Sequence, residues 1–181
     1  MSAPRYTRTA ILLHWVQAAL VLTLLGLGWY MADLPKGPDK TATYALHKSL
    51  GLCALVLVAV RLLWRWQHRP APLARVTTQE RLATAVHHLL YLLLALVPLA
   101  GYLSASFTKY PMKLFGMPVF KAGWADETIN GMFNALHKGS ALILAILVGL
   151  HVAAALYHGL RRDGVLARMS PHNSRAGTAL E

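Results

Sequence analysis

Across 181 residues the chain is 56 % hydrophobic and only 14 % charged. The charged share is well under the usual quarter, which excludes a disordered chain and argues against a soluble domain; at about 20 apolar residues per crossing, the length suits one membrane domain of four spans. Eighteen basic residues against seven acidic give a net charge of +11, but no RNA motif or DNA-reading module accompanies them, so the excess reads as loop charge that orients helices, with no nucleic acid as partner.

The first apolar stretch runs from about Ile11 to Met31. Arg5 and Arg8 precede it as in a signal peptide, but it is too long, and Trp29-Tyr30-Met31 makes a poor cleavage site. It reads as a retained span. Residues 32–45 carry Pro35, Gly37 and Pro38 and predict an irregular loop. The second stretch covers about Leu46 to Trp64 and holds Cys53, the chain's one cysteine. A lone cysteine in an apolar run excludes disulfide, zinc-ribbon and four-cysteine iron–sulfur sites within the chain and reads as a small hydrophobe.

A Pro/Arg-rich link over 65–81 leads to the third stretch, about Leu82 to Leu103. There Pro98 is expected to loosen or kink the helix, having no N–H for the Leu94 carbonyl. Residues 104–135 form the longest loop, with Pro111, Gly116, Pro118 and Trp124. Within it Asp126 is a candidate N-cap for a helical stripe of Ile129, Met132, Phe133 and Leu136. The fourth helix is therefore expected to start ahead of its apolar stretch, about Leu136 to Leu160. The tail 170–181 reads as flexible. The predicted fold is all-α, a four-helix transmembrane bundle, with 1–181 as a single domain.

Arginine and lysine divide along this layout. Arg5, Arg8, Arg65, Arg69, Arg75, Arg81, Arg161, Arg162, Arg168 and Arg175 fall in the segments on one side. Lys36, Lys40, Lys109, Lys113 and Lys121 fall on the other, diluted by Asp33, Asp39, Asp126 and Glu127. The positive-inside rule then predicts both termini in the cytoplasm.

Histidines carry the chemistry. Of nine, His14, His47, His87, His88, His137 and His151 lie in or at the ends of spans, and His158 lies near the end of the fourth. Ionisable groups in a bilayer are costly and mark function by default. His137 and His151, 14 residues apart, share a helix face at about 21 Å separation along the axis. Depth then pairs His47 with His137 at the outer level and His14 with His151 at the inner level. Two imidazoles from different helices at one depth are what a six-coordinate b-type haem requires. With no C-x-x-C-H motif, such a haem is held without covalent attachment.

The same 14-residue offset finds supporting residues. From His14 it reaches Gly28, which leaves room beside the outer ring. From His47 it reaches Arg61, a candidate propionate partner whose alternative is to snorkel to headgroups. Gly51, one turn after His47, lets a ring approach the backbone or serves helix packing. His87 plus 14 is Gly101, on a face that suits the bundle interior. His87 and His88 lie at the inner level, and either is an alternative to His14 or His151 as ligand. His87 is also a candidate for handling protons beside a quinone, as is His158, seven residues after His151. His68 and His172 lie in loops.

Taken together, these residues resemble the bacterial cytochrome b561 family over roughly residues 6 to 171. The resemblance rests on Leu13-His14-Trp15, on His47-Lys48-Ser49-Leu50-Gly51 through Arg61-Leu62-Leu63-Trp64-Arg65, and on His87 through Tyr91 with Pro98. It continues with His137, His151, Ala153-Ala154-Ala155, His158 and Arg168-Met169-Ser170-Pro171. It implies an inner-membrane, multi-pass cytochrome with two non-covalent haem b groups, iron-ligated by His14, His47, His137 and His151. It further implies a superoxide oxidase, which takes electrons from superoxide at the periplasmic face and passes them to ubiquinone. Lys109 and Lys113, with Lys48 and Lys138 near the outer pair and Lys121 in the loop, make that side positive, a field that concentrates a small anion.

Two rivals remain at this stage. One is a quinone-reacting cytochrome b conduit docked to a periplasmic hydrogenase- or dehydrogenase-type partner, with Trp124 and Phe120 as its docking surface. The other is a haem-free metal transporter, disfavoured because no Asp or Glu lies inside any of the four spans.

Overall fold

A chain surrounded by hydrocarbon must satisfy its own backbone hydrogen bonds, and each of the four apolar stretches does so as a helix. The computed structural model describes residues 7–68 and 78–162. Its helices are α1 (Arg8–Asp33), α2 (Pro38–Gln67), α3 (Thr78–Ser106) and α4 (Glu127–Arg161). All four are long and apolar enough to cross a membrane. Between α3 and α4 lies an antiparallel hairpin, β1 (Lys113–Leu114) and β2 (Met117–Pro118). Arg5, Arg69, Arg75, Arg168, Arg175, His172 and the tail 170–181 fall outside the described residues.

The segment 32–45 departs from expectation. Only the stretch from Leu34 to Gly37 separates α1 from α2, and the helix is already running from Pro38. Proline suits the first helical position, where its missing N–H has no intrahelical partner to lose, and Asp39 in the first turn favours the positive end of the dipole. Lys40 reaches back to donate to the Leu34 carbonyl at 2.7 Å, placing a cation over the last carbonyls of α1. At the start of α4, Asp126 is the N-cap, accepting the Ile129 N–H at 2.9 Å. That expectation holds. Helix α3 continues through Pro98 to Ser106.

Helices gain little from hydrophobic burial when their surroundings are already oily, so close packing of small residues matters more. The positions at tight approach fit this: Ser49, Ala54, Ala100 and Ser140 are all buried, and Ser49 and Ser140 bond carbonyls of their own helices. Val21, Leu93 and Leu144 form the centre of the core, joining α1, α3 and α4. Leu12, Val56, Leu92 and Leu142 point outward, as lipid-facing side chains do. The backbones run close together along α1–α2, α2–α3 and, most extensively, α3–α4. Along α1–α4 and α2–α4 they barely approach.

The α3–α4 connection is an ordered cap over one end. Phe115 and Gly116 turn the hairpin with φ of 48° and 90°, the left-handed pair that a two-residue turn of the primed type needs. Phe115 N–H donates to Ser49 Oγ at 2.9 Å, tying the turn to α2. Asn130 clasps the end of α3 through its amide, donating to the Ser104 carbonyl at 2.7 Å. Phe107 stacks on Phe133 and meets Trp124 edge-on. A Cβ at Gly123 would run into the Phe107 ring. Gly123→Val is therefore expected to unseat the loop at a cost of about 1–3 kcal/mol. The check is limited proteolysis in detergent: cleavage between residues 107 and 126 should accelerate in the variant, and an unchanged rate would contradict this packing.

Candidate functional site

Bundle geometry brings the span histidines together at two levels. At the hairpin end, His47 on α2 faces His137 on α4 with ring centres 6.1 Å apart and planes at 88°. At the opposite end, which carries Arg61 and Arg65, His14 on α1 faces His151 on α4 at 6.3 Å and 70°. Both pairs were expected from depth. Each lies across one of the two wide seams, α2–α4 and α1–α4, where the backbones stand apart.

Local contacts fix each ring differently. His137 Nδ1 lies 2.8 Å from the Val97 carbonyl. A carbonyl only accepts, so Nδ1 carries the proton and Nε2 keeps its lone pair free for a metal. Gly101 makes room for this: a Cβ there would stand 2.9 Å from His137 Nδ1. Gly28 lies beside His47, where a Cβ would sit 3.5 Å from its Cε1. A Cβ at Gly51 would meet nothing within 4 Å, so the face one turn along from His47 is open. The His47 Nδ1 is buried without a hydrogen-bond partner among the described residues.

At the arginine end a third imidazole joins. His87 on α3 lies with its ring centre 5.7 Å from that of His151. The alternative of His87 as a ligand thus stays open on geometry. His88 is exposed and makes no ring contact with the cluster. Arg61 points inward: its Nη2 donates to His14 Nδ1 at 3.0 Å, and its guanidinium lies 5.1 Å from the Tyr91 ring centre. It sits at the level of the His14 pair, as the 14-residue offset predicted. Arg65 lies 5.4 Å from the same ring. His158 is half-buried beside Tyr157, further along α4.

The lysines ring the hairpin end at various depths. Lys109, Lys113 and Lys138 are exposed, Lys48 is half-buried, and Lys121 donates to the Thr108 carbonyl. Sequence reasoning missed Tyr91, Arg65, the Val97 carbonyl and Gln17. The Gln17 side chain is buried, and neither of its amide atoms has a hydrogen-bond partner among the described residues. Its signal was available: a lone amide three residues after His14, on the inward stripe of an apolar helix.

The model of the prokaryotic cytochrome b561 family matches residues 5–172. The chain belongs to that family. It is 32 % identical over 176 residues to cytochrome b561 homolog 2 of Escherichia coli strain K12, covering 91 % of this chain and 90 % of that protein. It is 30 % identical over 174 residues to a cytochrome b562 of Cereibacter sphaeroides, covering 92 % and 95 %. The cytochrome is a multi-pass protein of the bacterial inner membrane with a role in electron transfer, and the family implies haem b.

Both imidazole pairs fit that group. Metal ions accept imidazole nitrogen at about 2 Å, and each ring centre lies about 1 Å further back, so two imidazoles that would hold one iron between them need centres about 6 Å apart. The observed separations meet this, and both pairs lie across the seams where the backbones stand apart. With Nε2 of His14 given to a metal, Nδ1 would carry the ring proton and stop accepting. That would release the Arg61 guanidinium for a carboxylate such as a propionate. Among the described residues no group of three or more His, Cys, Asp or Glu is disposed to hold a bare metal ion.

Proposed function

We propose that this cytochrome oxidises superoxide at the periplasmic face and reduces ubiquinone, with two haem b groups between donor and acceptor. The observation that carries the reading is the meeting of imidazoles two by two at opposite ends of the bundle. His47 with His137, and His14 with His151, would hold the two groups. When bound, haem b supplies a one-electron ferric–ferrous couple.

The hairpin end faces the periplasm in this reading, and both termini face the cytoplasm. The sorting of arginines to one end and loop lysines to the other supports that orientation. Lys48, Lys109, Lys113 and Lys138 would draw a small anion toward the His47 pair. Two superoxide anions each give up one electron and leave as dioxygen. Those two electrons with two protons convert one ubiquinone to ubiquinol. His87 and His158 are the proton-handling candidates toward the cytoplasmic end, since imidazole gives and takes a proton near neutral pH.

The test is anaerobic mixing of the purified, haem-loaded protein with a superoxide source and a short-chain ubiquinone, followed at the haem bands. Reduction of the haems and then of quinone is expected. Haems that stay oxidised while superoxide decays only by dismutation would reject the reading. Neutralising Lys109, Lys113 and Lys138 together to Gln should slow the second-order reaction about tenfold at low salt. Added salt should close the gap, and equal rates at all ionic strengths would remove the lysines from the account.

A second reading makes the chain an electron conduit docked to a periplasmic hydrogenase- or dehydrogenase-type partner. The exposure of Phe120 at 79 % and Trp124 at 68 % favours it. Co-purification of such an enzyme in fixed ratio would support it, whereas a lone protein that turns over superoxide would count against it.

A further inference from the structure

We propose that the hairpin between α3 and α4 is seated in the membrane leaflet at its own end of the bundle, with Phe115 and Met117 among the acyl chains of phospholipid. This goes beyond the electron-transfer reading and does not depend on it. Three observations carry it.

The first is the side of α2 on which the turn lies. His47 faces His137 across the bundle, and Ala54 and Val58, on the same stripe as His47, are buried. Two residues along a helix are about 200° of rotation, so Ser49 points the other way, out from the bundle centre. Val56, Val60 and Leu63 share the direction of Ser49 to within about 40°. All three are exposed, as lipid-facing side chains are. Ser49, at the head of that stripe, is instead buried. What covers it is the hairpin: Phe115 N–H donates to Ser49 Oγ at 2.9 Å, and β1 lies beside α2.

The second is depth. The second apolar stretch begins near Leu46, which puts Ser49 about 4.5 Å inside the hydrocarbon boundary. Exposed aromatic residues mark the same boundary. Trp29 and Tyr30 follow Gly28, which lies beside His47, and Tyr44 comes three residues before His47. Tryptophan and tyrosine gather where membrane meets water. The turn therefore lies just inside this belt, level with the hairpin-end imidazoles. Lys113, exposed and two residues back along β1, has a stem long enough to lift its ammonium to the headgroup phosphates.

The third is the chemistry of the tip. Phe115 and Met117 are 59 % and 62 % exposed, and both are apolar. Backbone held at this depth must have its polar groups satisfied. The two strands pair with each other, and Val119 N–H donates to the Met112 carbonyl at 3.0 Å. Ser49 gives its own proton to the Ala45 carbonyl, so its oxygen is free to take the Phe115 N–H. A hydroxyl on the lipid side of an apolar helix thus acts as the seat of the turn. A water-borne protein does not reach below the boundary, so the occupant that fits is phospholipid. Phe120 and Trp124 lie elsewhere on the cap, beside Tyr102 and Phe107. The lipid wedge and the docking surface of the second reading are separate places.

The experiment is photo-crosslinking of the full, haem-loaded chain in nanodiscs whose phospholipid carries a diazirine in the acyl chain close to the glycerol, followed by peptide mass spectrometry. Lipid adducts are expected on Phe115 and Met117, as on the lipid-facing Val56, and not on Asp39 at the start of α2. Ser49→Ala should lower the Phe115 and Met117 adducts several-fold and leave the Val56 adduct and the haem content unchanged, which reports an intact bundle. Adducts on Val56 with none on residues 113–118 would overturn the proposal. A second arm replaces Phe115 by the photoreactive p-benzoylphenylalanine. Capture of phospholipid supports the wedge, whereas a crosslinked dimer assigns the tip to a second copy and overturns it.

Discussion

His151→Ala is expected to halve the haem b content of the purified protein while the bundle still forms. His151 is the ring shared by the arginine-end cluster: it faces His14 at 6.3 Å and His87 at 5.7 Å. Its removal leaves those two without a partner across the seam. The hairpin-end pair is remote, about 21 Å along α4 from His151 to His137, and keeps its group. His14→Ala should be milder, because the His87 ring lies 5.7 Å from that of His151 and could hold the group with it in place of His14. A partial loss with an altered ferric spectrum is the expected signature. At the hairpin end no such spare imidazole lies beside the pair among the described residues, so His47→Ala and His137→Ala should each remove one haem outright. Pyridine haemochrome per chain, with circular dichroism to verify helix content, measures all four. Full haem content in both His137→Ala and His151→Ala would end the assignment of ligands.

Gly101→Val is expected to strip the hairpin-end haem without touching a ligand. A Cβ at residue 101 would stand 2.9 Å from His137 Nδ1 and 3.1 Å from its Cε1, and valine adds two methyl groups beyond it. The ring must move, and with it goes the bond to the Val97 carbonyl. Overpacking of this kind costs about 1–3 kcal/mol, and the lost hydrogen bond about 1 kcal/mol more. The loss falls on a contact that also presets the Nε2 lone pair. Gly51→Leu is the informative partner experiment. No protein atom lies within 4 Å of a Cβ there, so the helices tolerate it, yet a leucine would occupy space a macrocycle needs. Thermal unfolding of the haem-free protein in detergent should fall for Gly101→Val and hold for Gly51→Leu, while haem content after loading falls in both. Normal haem content in Gly51→Leu would show that this face is not used.

Much of this was legible in the residues because membrane helices obey few rules. Twenty-odd apolar residues mean a span, and 14 residues mean about four turns. Those two facts paired His14 with His151 and His47 with His137, put Gly28 at the outer level, and brought Arg61 to the inner level with His14. Rotation about a helix axis is harder to read. The 14-residue step from His87 to Gly101 put His87 on a face that suits the interior, but left His87 and His88 both open as ligands, because neighbours in a helix differ by about 100° and several rotations bury an all-apolar stretch equally well. The strands 113–114 and 117–118 are too short for a period-two pattern to register, and the phenylalanine in their turn does not advertise a left-handed position. The early start of α2 was hidden by Pro35, Gly37 and Pro38, which read as loop chemistry until Pro38 is recognised as a first helical residue. Hydrogen bonds such as His137 to Val97 depend on how close two helices come, which no local pattern states.

The seams have a mechanical consequence. Helices α1 and α2 pack as one pair, α3 and α4 as another, and each imidazole couple takes one member from each half. Coordinate bonds at both levels would therefore act as rivets driven through the two halves, so that binding the pigment and completing tertiary assembly become one thermodynamic event. The two halves already meet along α2–α3, and coordination would close the seams that α4 leaves open against α1 and α2.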